Sequence, residues 1–222
     1  MKLFIDTANL SEIEDSLKKG IVSGITTNPS IISKEPKSDF LGHIKKIISL
    51  TKKYNDGLPI SVEVFATKPS EMISQGLEFY EKLDYKNIAI KVPIGWDELE
   101  VISELSKKGI PVNCTCCFSE SQMMLAALAG AKYVSLFYNR LLDVSGYPLN
   151  VIEKVATFLN QSKLNCEIIV GSIRREEDIV SSWNKGAHIV TAGYKIVSKM
   201  CAHPQTTASV NQFISDFQSW LS

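Results

Sequence analysis

A single lysine interrupts an apolar stretch at residues 88–93, which read Ile-Ala-Ile-Lys-Val-Pro. The β-branched and aliphatic residues around it predict a buried strand, and Pro93 is expected to end that strand because proline cannot donate to the ladder. Lys91 should therefore lie, partly desolvated, at the carboxyl end of a core strand. Desolvation disfavours the ammonium form, so this amine is a candidate Schiff-base nucleophile. The structural alternative is a lysine that extends its charge out of the strand end.

The chemistry of a Schiff base specifies which other residues are needed. A lysine condensed with a ketone is an electron sink, so a carbon–carbon bond one position away becomes breakable. Breaking it requires a base for the hydroxyl proton, and Asp6 and Glu63, in the predicted first and third strands, are the candidate carboxylates. Glu63 together with Thr115 could shuttle protons through water while the Schiff base forms.

Two arginines follow later predicted strands and indicate an anion site. Arg140 lies after the sixth strand, and Ser172 and Arg174 lie at the end of the seventh. Guanidinium groups match phosphate oxygens in geometry, and barrels often bind phosphate near their last two strands. For each arginine alone, a surface ion pair is the structural alternative.

Eight strand–helix units alternate along the chain without a long linker. Strands are predicted at residues 3–6, 24–27, 60–65, 88–93, 111–118, 133–138, 167–173 and 188–192. This alternation predicts parallel strands with crossover helices, and eight units in this length predict an α/β protein with one domain, a (β/α)8 TIM barrel over residues 1–222. Pro204 is expected to end the preceding helix, and Thr206 and Thr207 to cap an additional C-terminal helix that reaches Leu221. A doubly wound sheet would need a glycine-rich turn after the first strand, where residues 6–9 contain no glycine.

Charge and composition exclude several classes of partner. The 222 residues include 24 basic and 24 acidic side chains, so the formal net charge is zero. We therefore expect no general attraction to nucleic acid or to membranes. There is no apolar run of 18 residues, and Asp6 comes too early for a signal peptide. A cytoplasmic location is the expectation.

The cysteines do not predict a metal site. Cys114, Cys116 and Cys117 crowd one predicted strand, where alternation would place the first two on the same face. Cys166 and Cys201 do not form a Cys-x-x-Cys pair that could complete a zinc site. Buried thiols are the preferred interpretation.

Several motifs, taken together, resemble the transaldolase family, in particular its short bacterial-type members, which are related to fructose-6-phosphate aldolases. The motifs are Ile5-Asp6-Thr7-Ala8-Asn9, Gly24-Ile25-Thr26-Thr27-Asn28-Pro29-Ser30, Val62-Glu63-Val64, Ile90-Lys91-Val92-Pro93, Asn113-Cys114-Thr115, Ala131-Lys132-Tyr133-Val134-Ser135 and Gly171-Ser172-Ile173-Arg174. They follow one another in order over essentially the whole chain. The resemblance implies a Schiff-base aldol mechanism on a (β/α)8 barrel, without cofactor or metal.

The resemblance also implies a role for each matching residue. Lys91 would form the Schiff base, Asp6 would be the acid/base for bond cleavage, and Glu63 and Thr115 would activate water. The expected substrate-binding residues are Asn28, Asn113 and Ser135 for a dihydroxyacetone unit, Arg140, Ser172 and Arg174 for the anion, and Thr27 and Phe137 beside them. The implied activity is transfer of dihydroxyacetone between sugar phosphates, as in the pentose phosphate pathway.

Some positions bear on alternatives within this resemblance. Related aldolases, which release free dihydroxyacetone, carry Gln at the position of Glu63 and Tyr at that of Phe137, so both residues favour transfer. Around the anion end, Leu136, Arg175 and residues 94–96 depart from the usual pattern. These departures leave the anion open, and a sulfonated sugar remains an alternative. A non-catalytic sugar-phosphate binder is a third hypothesis, which Asp6, Glu63 and Lys91 argue against.

The last helix carries a continuous apolar face at helical spacing. Its residues are Val210, Phe213, Ile214, Phe217, Trp220 and Leu221. One interpretation is packing on the chain's own barrel. The family resemblance implies instead a crossing to a neighbouring subunit, in a homo-oligomer such as a pentamer or decamer.

Overall fold

Eight parallel strands close into a barrel in a computed structural model that describes residues 1–37 and 39–222. Each strand pairs with its neighbours in sequence, and β8 pairs with β1. The strands are β1 Lys2–Asp6, β2 Ile25–Thr26, β3 Ile60–Glu63, β4 Ile88–Pro93, β5 Val112–Cys117, β6 Tyr133–Phe137, β7 Glu167–Gly171 and β8 Ile189–Ala192. The structure thus confirms the predicted (β/α)8 barrel with an additional C-terminal helix.

The helices lie between the strands as the alternation predicted. They are α1 Leu10–Lys18, α2 Pro29–Ile32, α3 Phe40–Tyr54, α4 Pro69–Leu83, α5 Glu98–Lys107, α6 Glu120–Leu128, α7 Tyr138–Asp143, α8 Pro148–Ser162, α9 Glu176–Asn184, α10 Tyr194–Lys199 and α11 Pro204–Leu221. Asn9 caps α1 by accepting hydrogen bonds from two backbone amides with its side-chain oxygen. None of the helices in the described part of the chain is both long and apolar enough to cross a membrane.

Alternation along the strands separates two cores. In β4, Ile88, Ile90 and Val92 face the helices and belong to the main core, whereas Ala89 and Lys91 face the barrel interior. The apolar part of that interior is a separate buried cluster. Its members are Phe4, Ala89, Tyr133, Ile169 and Ile189. On most of these strands, the residue two positions after the apolar one is polar and faces the same way. These polar side chains form a layer on the carboxyl side of the apolar cluster, which we call the apolar plug.

A bulge in β5 changes the expected orientation of its cysteines. The pairing of β5 with β6 shifts register between Cys114 and Cys117, and Cys116 has a left-handed backbone with φ +60°. The simple alternation that was predicted to place Cys114 and Cys116 on one face is therefore wrong: Cys114 is buried and Cys116 is only partly so. The Sγ atoms of Cys114 and Cys117 lie 3.9 Å apart as free thiols. No group of three potential metal ligands is found among the residues that the structure describes.

The C-terminal helix departs from two expectations. It begins at Pro204, with His203 as the N-cap, so the prediction of a cap at Thr206 and Thr207 is wrong. Proline fits the first helical position because its missing N–H has no partner there in any case. Every residue from 201 to 222 is exposed, so packing of this helix on its own barrel is also wrong. Its apolar face is open, with Phe213 69% and Trp220 77% exposed.

Candidate active site

A cavity of about 90 Å³ opens at the carboxyl ends of the strands, on top of the apolar plug. It is the place where (β/α)8 barrels assemble their functional groups. The lining residues are Asp6, Thr26, Asn28, Lys91, Asn113, Thr115, Ser135, Phe137, Arg140, Ile169, Gly171, Ser172 and Thr191. Nine of the predicted site residues are among them: Asp6, Asn28, Lys91, Asn113, Thr115, Ser135, Phe137, Arg140 and Ser172.

Lys91 lies at the centre of this layer because of the strand register. Its Cα is level with Glu63 on β3 and with Asn113 on β5. The side chain is only 7% exposed, and Nζ lies 2.9 Å from Oε2 of Glu63. Nζ also donates a hydrogen bond of 2.9 Å to the carbonyl of Thr27. The ammonium is thus buried, paired with a carboxylate and held at the mouth of the barrel.

Glu63 and Thr27 approach Lys91 from an adjoining cavity of about 230 Å³. Neither residue lines the Lys91 cavity itself. The Thr27 hydroxyl donates to the Ser61 carbonyl at 2.9 Å, so its contribution to Lys91 is its main-chain oxygen rather than its side chain.

Asp6 lies at the end of a short hydroxyl chain. Thr26 Oγ1 donates to Asp6 Oδ1 at 2.7 Å. Since that hydroxyl has one proton, the 2.6 Å contact between Thr26 and Thr191 is a donation by Thr191. Burial raises the pKa of Asp6, against the opposing effects of the Lys91 charge and the Thr26 hydrogen bond. Desolvation therefore makes this carboxylate a stronger base than an exposed aspartate.

Thr115 contributes a buried hydroxyl to the cavity wall. The residue is 0% exposed, and its Oγ1 has no hydrogen-bond partner among the described residues. A buried hydroxyl without a partner is costly in a folded protein. Its place in the lining makes this oxygen a natural contact for a small polar molecule in the cavity.

Asn113 on β5 and Ser135 on β6 form a second polar group in the cavity lining. Ser135 Oγ donates to Asn113 Oδ1 at 2.7 Å, and Asn113 Nδ2 donates to Ser61 Oγ at 3.0 Å. These bonds fix the orientation of the amide and leave its second N–H available. Asn28 is fixed similarly, because its Oδ1 caps α2 by accepting from the Ile31 amide at 3.0 Å. Its NH₂ group remains available as a donor at the cavity.

Arg140 and Ser172, two of the residues predicted to bind the anion, line the cavity. The Arg140 guanidinium carbon lies 4.9 Å from the centroid of the Phe137 ring, which orients the side chain by a cation–π contact. Phe137 is in turn packed edge-on against Phe118. Ser172 has a left-handed backbone with φ +58°, and its carbonyl accepts from the Asn139 amide at 3.3 Å. This bond links the loop after β7 to α7, which carries Arg140.

Arg174, the third residue predicted for the anion clamp, does not line the cavity. Its Nη1 and Nη2 donate to Oδ1 and Oδ2 of Asp143 at 2.7 and 2.5 Å. The neighbouring Arg175 pairs with Asp178 at 2.8 Å. The structure therefore places one guanidinium at the cavity and holds the second beside it in an ion pair.

The sequence is similar to a known protein family and to proteins from other organisms. The family model described as transaldolase/fructose-6-phosphate aldolase matches residues 3–221. The chain belongs to this family. A probable transaldolase of Thermoanaerobacter sp. (strain X514) is 40% identical over 218 residues, which is 98% of this chain and 97% of that protein. A probable transaldolase of Dehalococcoides mccartyi is 36% identical over 219 residues, 99% of each chain.

A solved structure agrees on the fold alone. A protein described as a lactate oxidase from Pediococcus acidilactici has a TM-score of 0.59 at 14% identity, covering 86% of this chain and 62% of its own. Membership of the transaldolase/fructose-6-phosphate aldolase family, in contrast, extends over nearly the whole sequence.

Within this member of the family, sequence reasoning missed two groups at the site. Thr191 lines the cavity and donates a hydrogen bond to Thr26, which in turn donates to Asp6. Because side chains alternate along β8, Thr191 faces the same side as Ile189, and this pattern could have predicted its position. Asp143 could not have been found, because it lies at the end of α7, a six-residue helix that was not predicted. A segment of this length is too short to show helical periodicity.

Proposed function

We propose that this protein is a transaldolase that transfers a dihydroxyacetone unit from a ketose phosphate, such as fructose 6-phosphate, to an aldose phosphate. The observation that carries the proposal is a buried lysine amine, paired with Glu63 at 2.9 Å, in the same layer as the carboxylate of Asp6. Binding a sugar phosphate requires neither a buried amine nor a buried base. Schiff-base chemistry requires both.

The proposed reaction begins when the Lys91 amine attacks the C2 carbonyl of the ketose and water leaves. Asp6 then takes the proton of the C4 hydroxyl as the C3–C4 bond breaks. The electrons of that bond pass to the iminium, so an aldehyde departs and an enamine of dihydroxyacetone stays on Lys91. An incoming aldose reverses these steps and receives the unit, while Asp6 returns its proton. The raised pKa of Asp6 suits this exchange.

Forming and hydrolysing the iminium also needs proton transfers at the lysine nitrogen. In the proposal, Glu63 accepts a proton from Lys91 across their 2.9 Å contact. Thr115 holds the water that relays protons, since its buried hydroxyl has no protein partner among the described residues. The two residues flank Lys91 on neighbouring strands.

The polar walls suit the dihydroxyacetone unit. The free N–H groups of Asn28 and Asn113 donate to its hydroxyl oxygens, and Ser135 is held in place by its hydrogen bond to Asn113. Because each amide is already oriented by a protein hydrogen bond, little side-chain freedom is lost when the unit binds.

Arg140 and Ser172 are proposed to bind the terminal anion of the sugar, joined by Arg174, which follows Ser172 by two residues in the same loop. Phe137, which lines the same cavity and contacts Arg140, has no proton to give. That favours retention of the enamine until an acceptor arrives over release of free dihydroxyacetone. Aldolase activity and a sulfonated donor are the two alternatives.

The open face of α11 supports a proposal of homo-oligomer assembly. A helix with exposed Phe213, Phe217 and Trp220 is costly in water unless another surface covers it. We propose that it packs on a neighbouring copy, in a pentamer or decamer as the family resemblance implies.

A carbon-transfer assay tests the proposed activity. Fructose 6-phosphate is incubated with a four-carbon aldose phosphate, and the products are identified by mass spectrometry. We expect a seven-carbon ketose phosphate, formed only when the acceptor is present. Free dihydroxyacetone accumulating at the same rate without acceptor would favour the aldolase, and no product from any phosphorylated or sulfonated donor would contradict the proposal.

A further inference from the structure

Asp143 lies beside the two arginines of the anion end and is used by none of the steps above. It is three residues after Arg140 on α7, which places both side chains on one side of the helix. Its carboxylate forms the bidentate pair with Arg174. Both arginines lower the pKa of Asp143, Arg174 through its hydrogen bonds and charge and Arg140 through its charge alone. The carboxylate therefore remains charged at neutral pH, in the field of both guanidinium groups.

The local charge balance follows from these contacts. Arg140 and Arg174 supply two positive charges, and Asp143 removes one of them. Arg175 adds none, because its charge is offset by Asp178 at 2.8 Å. The anion end thus presents a net charge of about +1, with one of its two guanidinium forks already occupied by a carboxylate.

From this arrangement we propose that Asp143 determines which terminal anion the enzyme prefers, by competing with the substrate for Arg174. The inference rests on the proposed function. A sugar phosphate carries about −1.5 to −2 at pH 7, whereas a sulfonate carries a single charge. With Asp143 present, Arg140 and Ser172 match a singly charged anion. A doubly charged phosphate gains Arg174 only by displacing Asp143.

The strength of this competition is limited by exposure. The side chains of Arg174 and Asp143 are 54% and 51% exposed, and exposed pairs are weak. The pair can therefore open when a substrate binds, and the effect of removing Asp143 is a change in preference rather than a gain or loss of activity.

The test measures kcat/KM for three donors: fructose, 6-deoxy-6-sulfofructose (the 6-sulfonate) and fructose 6-phosphate. In the isosteric variant Asp143→Asn, we expect the ratio of 6-phosphate to fructose to rise by about two- to fivefold, the range of an exposed ion pair. The ratio of 6-phosphate to 6-sulfonate should also rise. In an Arg174→Gln background, Asp143→Asn should raise these kcat/KM ratios by less, because no guanidinium is released from Asp143. Glu104→Gln, which removes a 41% exposed carboxylate paired with Lys107 on α5, should leave both ratios unchanged.

Two results would overturn this inference. One is unchanged ratios in Asp143→Asn, and the other is an equal gain with and without Arg174. Borohydride trapping on Lys91 keeps the test separate from the proposed function. Trapping with unchanged ratios contradicts the role of Asp143 alone, whereas no trapping in the wild type contradicts the Schiff-base mechanism itself.

Discussion

The Nζ atom of Lys91 lies 2.9 Å from Oε2 of Glu63, its partner across the pairing of β3 and β4. Two neighbouring strands thus place an amine and a carboxylate at the same level, where both are largely removed from water. A buried lysine without a counter-charge would be costly. The same carboxylate lies within hydrogen-bond distance of Nζ and can accept the proton that Lys91 must lose before it attacks a ketone.

Glu63→Gln should slow Schiff-base formation by about 10²-fold, because the amide keeps the shape and the hydrogen bond but cannot accept a proton. The measurement is the rate at which borohydride-trapped adduct accumulates with fructose 6-phosphate. Glu78→Gln, which breaks an exposed pair with Lys82 on α4, is the matched control and should trap at the wild-type rate. Equal rates in Glu63→Gln and wild type would remove Glu63 from the proton transfer.

Asp6→Asn should lose about 10²- to 10⁴-fold in kcat, the range of a general acid–base residue. It should also stabilise the fold at neutral pH. Burial raises the folded pKa of Asp6, so the folded state binds this proton more tightly than the unfolded state. The stability that Asp6 contributes is present below its unfolded pKa of ~4 and is lost as pH rises through the folded pKa.

Urea unfolding at several pH values checks the predicted direction in which the stability contributed by Asp6 changes with pH. The advantage of Asp6→Asn over wild type should be largest near pH 7 and should shrink as the pH falls towards 4. Asp56→Asn, the same substitution at an exposed position, is the control for the exchange itself. An advantage for Asp6→Asn that grows at low pH would contradict the assigned direction of the pKa shift.

Thr115→Val should reduce kcat by about 10²-fold, because the variant cannot hold the water needed to form and hydrolyse the iminium. Its free energy of unfolding should change by less than ~1 kcal/mol, since the hydroxyl bonds to no protein group among the described residues. Thr51→Val is the matched control: that buried hydroxyl donates to the Ile48 carbonyl at 2.8 Å on α3. There we expect a loss of stability with kcat retained. Full activity in Thr115→Val would exclude the proposed water site.

Removal of residues 206–222 should reduce the mass of the proposed homo-oligomer, because the apolar face of α11 would no longer bridge two copies. Light scattering after size-exclusion chromatography gives the mass. The double variant Phe217→Ser and Trp220→Ser, which disrupts a stacked pair on that face, should act in the same direction. An oligomer of unchanged mass in both would show that α11 is not the bridging element.

The site residues that lie in strands could be predicted from the sequence more completely than those in the loops that follow the strands. Side chains alternate between the two faces of a strand, so the face of a polar residue in an apolar strand can be predicted. This places Lys91, Asn113 and Ser135 in the barrel interior. Arg174 could not be placed: its position depends on a side-chain pair with Asp143, and no local pattern encodes that pairing. The start of α11 was missed for a different reason, since Pro204 reads equally as a helix breaker and as a first helical residue.

Borohydride reduction in the presence of fructose 6-phosphate tests the central claim most directly. Intact-mass and peptide analysis of the wild type should show one covalent adduct, carried by Lys91. Lys91→Met, which keeps an unbranched apolar side chain and removes the amine, should show none while melting as a folded protein. Equal labelling of both proteins, or an adduct at a different lysine in the wild type, would contradict Schiff-base catalysis by Lys91.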